Sequence, residues 1–122
     1  MRSRRAAILT ALSLSTFAVA VPASAAVHAT AATAGVTVTA GKPSEFRFTL
    51  STHKVRHGTV KFTIKNKGAL AHDFSIAGHT SKKVQPGKST TLTVTLKKGK
   101  AAYKCTVPGH AAAGMKGTIT VT

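Results

Sequence analysis

The sequence predicts an all-β chain, folded as an antiparallel Greek-key β-sandwich of about seven to eight strands. Three observations point there. Short stretches alternate apolar with polar side chains, as half-buried strands do. Turn signals built from Gly, Pro, Asn and Lys separate these stretches about every 8–12 residues. No window of helical length repeats its apolar residues with a helical period. The abundance of threonine and valine agrees with strand propensity.

From Gly35 onward the elements follow in order. Val36-Thr37-Val38-Thr39 alternates, and Gly41-Lys42-Pro43-Ser44 turns the chain. In the next strand Phe46, Phe48 and Leu50 share one face, and Glu45, Arg47 and Thr49 share the other. Thr52 to Gly58 is polar and basic and reads as a loop. Val60, Phe62 and Ile64 alternate with Lys61, Thr63 and Lys65 before the turn Asn66-Lys67-Gly68. Leu70 to Ile76 reads as a strand, and Val84-Gln85-Pro86-Gly87-Lys88 as a turn. Leu92, Val94 and Leu96 alternate with Thr91, Thr93 and Thr95, and Lys97-Lys98-Gly99-Lys100 turns again. Ala101, Tyr103 and Cys105 fall on one face of the penultimate strand. Met115, Gly117, Ile119 and Val121 fall on one face of the last.

The region before this domain has a different texture. Arg2, Arg4 and Arg5 precede the mostly apolar, small-residue run Ala6–Val21, which is too weakly hydrophobic for a membrane span. Ala23-Ser24-Ala25 offers small residues where a signal peptidase reads, so residues 1–25 are expected to be an export signal. Cleavage after Ala29 is the second option, and Ser3-Arg4-Arg5 leaves twin-arginine export open beside plain secretion. No cysteine lies near either cleavage point, so lipid anchoring is not expected. Residues 26–34 are Ala/Thr-rich without periodicity and read as a flexible lead-in; residues 35–122 form the domain.

Charge narrows the function further. The 122 residues hold 18 Lys and Arg against two acids, Glu45 and Asp73. Removing the leader removes three arginines, so 15 basic side chains remain and the mature charge is +13. Two carboxylates leave little machinery for acid–base catalysis, and no enzyme is expected. Nucleic-acid binding ranks low, because aromatic residues are sparse and an exported protein meets little nucleic acid. An acidic partner protein or an anionic surface suits the charge better. One cysteine cannot form an internal disulfide, so a bound metal is the available staple.

Donor residues concentrate in one loop, Cys105-Thr106-Val107-Pro108-Gly109-His110-Ala111-Ala112-Ala113-Gly114-Met115. A cysteine, a histidine and a methionine recur five residues apart, in a segment restricted by Pro108, Gly109 and Gly114. Two histidines and one cysteine with a weak axial methionine are the ligand set of a blue-copper centre. A second histidine must come from elsewhere. His28 lies in the lead-in, His53 and His57 in a basic loop, and His79 in a turn. Only His72 sits within an apolar stretch.

The Cys-x4-His-x4-Met loop, with Tyr103-Lys104 before it and Lys116 to Val121 after it, resembles the C-terminal signature of the cupredoxins. Its spacing is similar to that of rusticyanins and auracyanins; plastocyanins have a shorter Cys-to-His gap. Ala71-His72-Asp73-Phe74 matches the family's upstream ligand position. The resemblance implies one copper ion, cycling between Cu(II) and Cu(I), held by His72, Cys105, His110 and Met115. It also implies that Asp73, where many members have asparagine, ties the two ligand loops together near Thr106. A monomeric, exported one-electron carrier is the function expected, with His110 as the electron port. Pro108, Gly109, Ala111, Ala112 and Ala113 would be the docking patch for an acidic redox partner. The alternative is an extracytoplasmic protein of copper storage, delivery or tolerance, although the chain has no Met- or His-rich run. Multicopper oxidases flank the cysteine with histidines, whereas here its neighbours are Lys104 and Thr106.

Overall fold

Alternation becomes strand wherever one face can be buried. The structure is a computed structural model, and it describes residues 11, 13, 15, 17–23 and 32–122. Both expected cleavage points, and residues 26–31 of the expected lead-in, lie outside the described residues. Ala34, placed in the lead-in by sequence, opens strand β1 (Ala34–Ala40), which buries Val36, Val38 and Ala40. The other strands are β2 (Phe48–Leu50), β3 (Lys54–Val55), β4 (Gly58–Asn66), β5 (Ser75–Ile76), β6 (His79–Thr80), β7 (Ser89–Leu96), β8 (Gly99–Lys104) and β9 (Lys116–Val121). They form two sheets, ordered β2-β1-β4-β7 and β3-β9-β8-β5-β6.

The core lies between the sheets. Val36, Val38, Val60, Phe62, Ile64, Val94 and Leu96 come from one sheet. Val55, Ile76, Tyr103, Ile119 and Val121 come from the other, and Phe74 sits just before β5. Phe74 is the hub. Its ring meets Phe48 edge-on at 5.4 Å and lies 5.1 Å from Phe62 and 5.3 Å from Tyr103. Burying a side chain of this size contributes about 1.5–3 kcal/mol. The rings fill the space between the layers.

The sandwich is as the sequence predicts, but two strand pairings are parallel. β1 pairs β4 in parallel, with Ala34 opposite Val60 and Ala40 opposite Asn66. β3 likewise pairs β9, with Val55 opposite Val121. Strand direction is invisible to alternation, because a face repeats every second residue either way. The chain from β1 runs through β2, crosses to the other sheet at β3, and returns as β4 beside β1. That detour makes the parallel contact possible.

Further elements depart from their expected bounds: His79, read in a turn, opens β6, and Gly99-Lys100, read as part of a turn, open β8. Thr52–Gly58 is not all loop, since it contributes β3 and buries Val55. The expected strand Leu70–Ile76 reduces to Ser75–Ile76 plus an isolated bridge between His72 and Val84. Glu45 and Phe46 lie in a turn ahead of β2, so Glu45 does not sit on a strand's polar face. At this end of the sandwich Ala40, Cys105 and Met115 form a second, smaller buried cluster.

Candidate metal centre

Cys105 follows the last residue of β8, and Met115 precedes the first residue of β9. The Cys105 amide donates to the Met115 carbonyl at 3.0 Å, closing the loop at its base. Inside, two turns wind in succession. The His110 amide donates to Val107 O, Ala113 to Gly109 O and Gly114 to Ala111 O, and the Met115 amide donates back to His110 O. Gly109 and Gly114 sit at φ of 83° and 111°, which other residues rarely adopt. The loop therefore turns the His110 side chain inward while its backbone stays near the surface.

His72 enters from the other side. Its backbone exchanges two hydrogen bonds with Val84, at 3.1 and 2.7 Å. Its ring is fully buried, with Nδ1 3.1 Å from His110 Nδ1. Cys105 Sγ lies 3.6 Å from the same His110 nitrogen. All three ligand atoms fall within 4.8 Å of one another, the one such group of three among the described residues. Met115 is fully buried in the cluster that also holds Cys105, and Phe46, which packs on that cluster, meets the His110 ring edge-on at 5.0 Å. The sequence-predicted ligands are thus brought to one place. His53 and His79 are exposed and apart from the centre, and exposed His57 faces the Thr122 carbonyl through Nδ1 at 2.9 Å.

Burial acts on these donors in opposite ways: it keeps the thiol protonated until a metal displaces the proton, and it keeps the imidazole neutral. Burial pushes the Cys105 thiol above its ordinary value. Burial, and next the nearby His72, hold the His110 imidazole below its ordinary value, so it stays neutral with a lone pair free. Two imidazole nitrogens and a sulfur that converge at this distance fit a soft or borderline metal ion. Ligand protons would leave on binding.

Both acids of the chain lie at the centre. The Thr106 amide donates to Asp73 Oδ1 at 2.6 Å, and the Thr106 hydroxyl donates to Asp73 Oδ2. Asp73 therefore couples the His72 segment to the Cys105 segment. Glu45 is the residue that sequence reasoning missed. His72 Nε2 donates to its Oε1 at 2.7 Å, and the Ala69 and Leu70 amides donate to Oε2 and Oε1 at 2.8 and 3.0 Å. The Ala69 amide foremost holds the Glu45 carboxyl below its ordinary range, against the opposing effect of burial. Because a carboxylate only accepts, the His72 Nε2 carries the proton of this bond, and Nδ1 is the ring nitrogen that faces His110. The signal in the sequence was rarity: with only two acids in 122 residues, each merits a structural reason.

A family model described as the cupredoxin-like domain matches residues 8–121. The chain belongs to the cupredoxin family. Rusticyanin from Thiobacillus ferrooxidans is 28% identical and superposes with a TM-score of 0.59, over 74% of this chain and 77% of that one. Auracyanin from Roseiflexus castenholzii is 23% identical, covering 76% of this chain and 99% of its own, with a TM-score of 0.63. Auracyanin A from Chloroflexus aurantiacus, a "blue" copper protein, is 19% identical over 75% of this chain and all of that one, with a TM-score of 0.60. Below 25% identity the auracyanin likenesses show the fold. No curated protein matches this cupredoxin in sequence.

Proposed function

We propose that this cupredoxin is an exported, mononuclear type 1 copper protein that carries single electrons between redox partners. The observation that carries the proposal is the convergence of His72 Nδ1, His110 Nδ1 and Cys105 Sγ within 4.8 Å, with buried Met115 beside them. Bound copper would supply a Cu(II)/Cu(I) couple there. The protein's part is to keep the donors in place whichever charge the ion carries. Thiolate and thioether suit Cu(I), the imidazoles suit both states, and the closed loop resists rearrangement.

Exposure supports His110 as the port. Among the four ligands His72, Cys105 and Met115 are at most 1% exposed, whereas His110 keeps 7%. Around it Pro108, Gly109, Ala112 and Ala113 are exposed and Ala111 is half-buried, all uncharged. Arg47 borders this patch, since its guanidinium would lie 3.6 Å from a side chain placed at Gly114. Small neutral residues permit close approach, and the surrounding positive charge favours an acidic partner. Export is read from the leader, and no described helix is long and apolar enough to cross a membrane.

The test is the visible spectrum of the purified protein with Cu(II), with the metal counted. An intense blue colour at one copper per chain, lost in Cys105→Ser, is the expected result. A colourless complex, or two coppers per chain, would refute the proposal.

A further inference from the structure

Glu45 has no counterpart in the ligand set, yet it is built into the centre. A turn brings it there. The Gly41 amide donates to Arg47 O, and the Lys67 amide donates to Ala40 O, which lays the 41–47 segment against the 67–70 segment. The two segments pass so closely that a Cβ on Gly41 would lie 2.4 Å from Gly68 Cα. A Cβ on Gly68 would lie 2.5 Å from Glu45 Oε1 and 3.0 Å from Oε2. The carboxylate therefore rests on bare backbone, where any side chain at Gly68 would displace it.

The same segment is held from below. Asn66 is buried; its Oδ1 accepts the Gly68 amide, and its Nδ2 donates to Leu70 O and Val84 O. Val84 in turn bridges His72. Asn66, Gly68, Ala69 and Leu70 thus form a cradle with one occupant, the Glu45 carboxylate, and one product, a fixed His72 ring.

We infer that Glu45 is a positioning residue that fixes the tautomer and orientation of His72 and biases copper bound there towards Cu(II). The inference rests on the copper reading above. A carboxylate hydrogen-bonded to a ligating imidazole raises that ligand's basicity. Negative charge passed through the ring favours the more highly charged ion. Lysines and arginines dominate the charged residues, 18 against two acids, so this local anion opposes the field of the whole protein at the one place where the metal charge changes.

The experiment has a copper arm and a metal-free arm. In the copper arm Glu45→Gln keeps an acceptor for His72 but removes the charge, and Gly68→Ala keeps the acid but crowds it off its seat. Partners beyond the ligands typically alter metal affinity about 10–100-fold, so both variants are expected to stay blue and lose Cu(II) preference over Cu(I) by about tenfold. Tenfold corresponds to a potential higher by about 59 mV for one electron. In the metal-free arm, nitrogen NMR of the apo-protein is expected to show His72 as a single tautomer with its proton on Nε2. Glu45→Ala is expected to release that proton to exchange. Wild-type potential in both Glu45→Gln and Gly68→Ala, or a proton on Nδ1 in the apo wild type, overturns the inference. A wild-type protein that never turns blue would instead sink the copper reading, and the tautomer result would still report on Glu45.

Discussion

Asp73 offers the sharpest test of how the two ligand segments are joined. Its side chain is almost wholly buried and takes both the amide and the hydroxyl of Thr106. Asp73→Ala removes both acceptors at once. A hydrogen bond to a charged group contributes about 1.5–3 kcal/mol. Thr106 itself is exposed, so water can serve its freed donors, and the pair together is worth nearer the cost of one bond than of two. About 2 kcal/mol is therefore the expected loss, which lowers the melting temperature of a domain of this size by about 8–16 °C. Asp73→Asn separates geometry from charge. Its carbonyl still accepts the Thr106 amide, and its NH2 donates to the Thr106 hydroxyl, but neutral bonds are roughly half as strong. Half the shift is expected. The assay is thermal unfolding of the apo-protein by circular dichroism at pH 7, with chelator present so that no metal adds stability. Asp73→Ala melting within about 2 °C of wild type would refute the clamp.

Met115→Leu should keep the blue colour and raise the potential, because in the proposed ligand set it removes only a weak axial donor; voltammetry showing a lower potential would contradict that ligand set. The apo-protein should lose stability on acidification in two stages. His110, whose imidazole burial holds below its ordinary value, stays neutral in the fold while the unfolded chain protonates, so stability falls as pH drops below about 6.5. Glu45, held low chiefly by the Ala69 amide, contributes stability that is full above about 4.3 and is lost as pH falls further. Urea titrations of the apo-protein from pH 7 to pH 3 check both stages, and a flat profile would contradict them. Electron transfer to an acidic redox protein should slow as salt rises from 0.01 to 0.1 M, where the Debye length shortens from about 30 to about 10 Å. Stopped-flow rates that ignore salt, or that match those of a basic partner, would limit the charge to solubility.

Which parts of the fold could be read in advance follows from what alternation encodes. Val36 and Val38, Phe62 and Ile64, Val94 and Leu96, and Ile119 and Val121 were legible because each pair repeats on one face, and all are buried. Strand direction was not legible, so the parallel β1–β4 and β3–β9 pairings emerged only from the three-dimensional path. Val55 escaped because a two-residue strand has no period, and Lys54, Arg56 and His57 around it are exposed. The segment 70–76 looked like one strand since Leu70, Phe74 and Ile76 share a parity. In the structure Leu70 is exposed, and Phe74 bonds through its backbone to Ser81 rather than to a ladder.

The centre was more legible than the fold in one respect and less in another. Ligands are scarce residue types, and a lone cysteine spaced evenly from a histidine and a methionine carries its own chemistry. His72 could be picked from six histidines because it alone lay among apolar neighbours, and among the described histidines it is the fully buried one. What the spacing could not reveal was Glu45, 27 residues from His72 in the chain and joined to it only by the turn at Gly41 and the bare backbone at Gly68. Such contacts are set by close approach of two loops, and close approach leaves no periodic trace. It does leave a compositional one. In a chain that spends 18 side chains on positive charge, an acid survives where a bond needs it: Asp73 on the Cys105 segment, Glu45 on His72. The two acids thus brace both sides of the centre, and each is open to test by replacing its charge while keeping its shape.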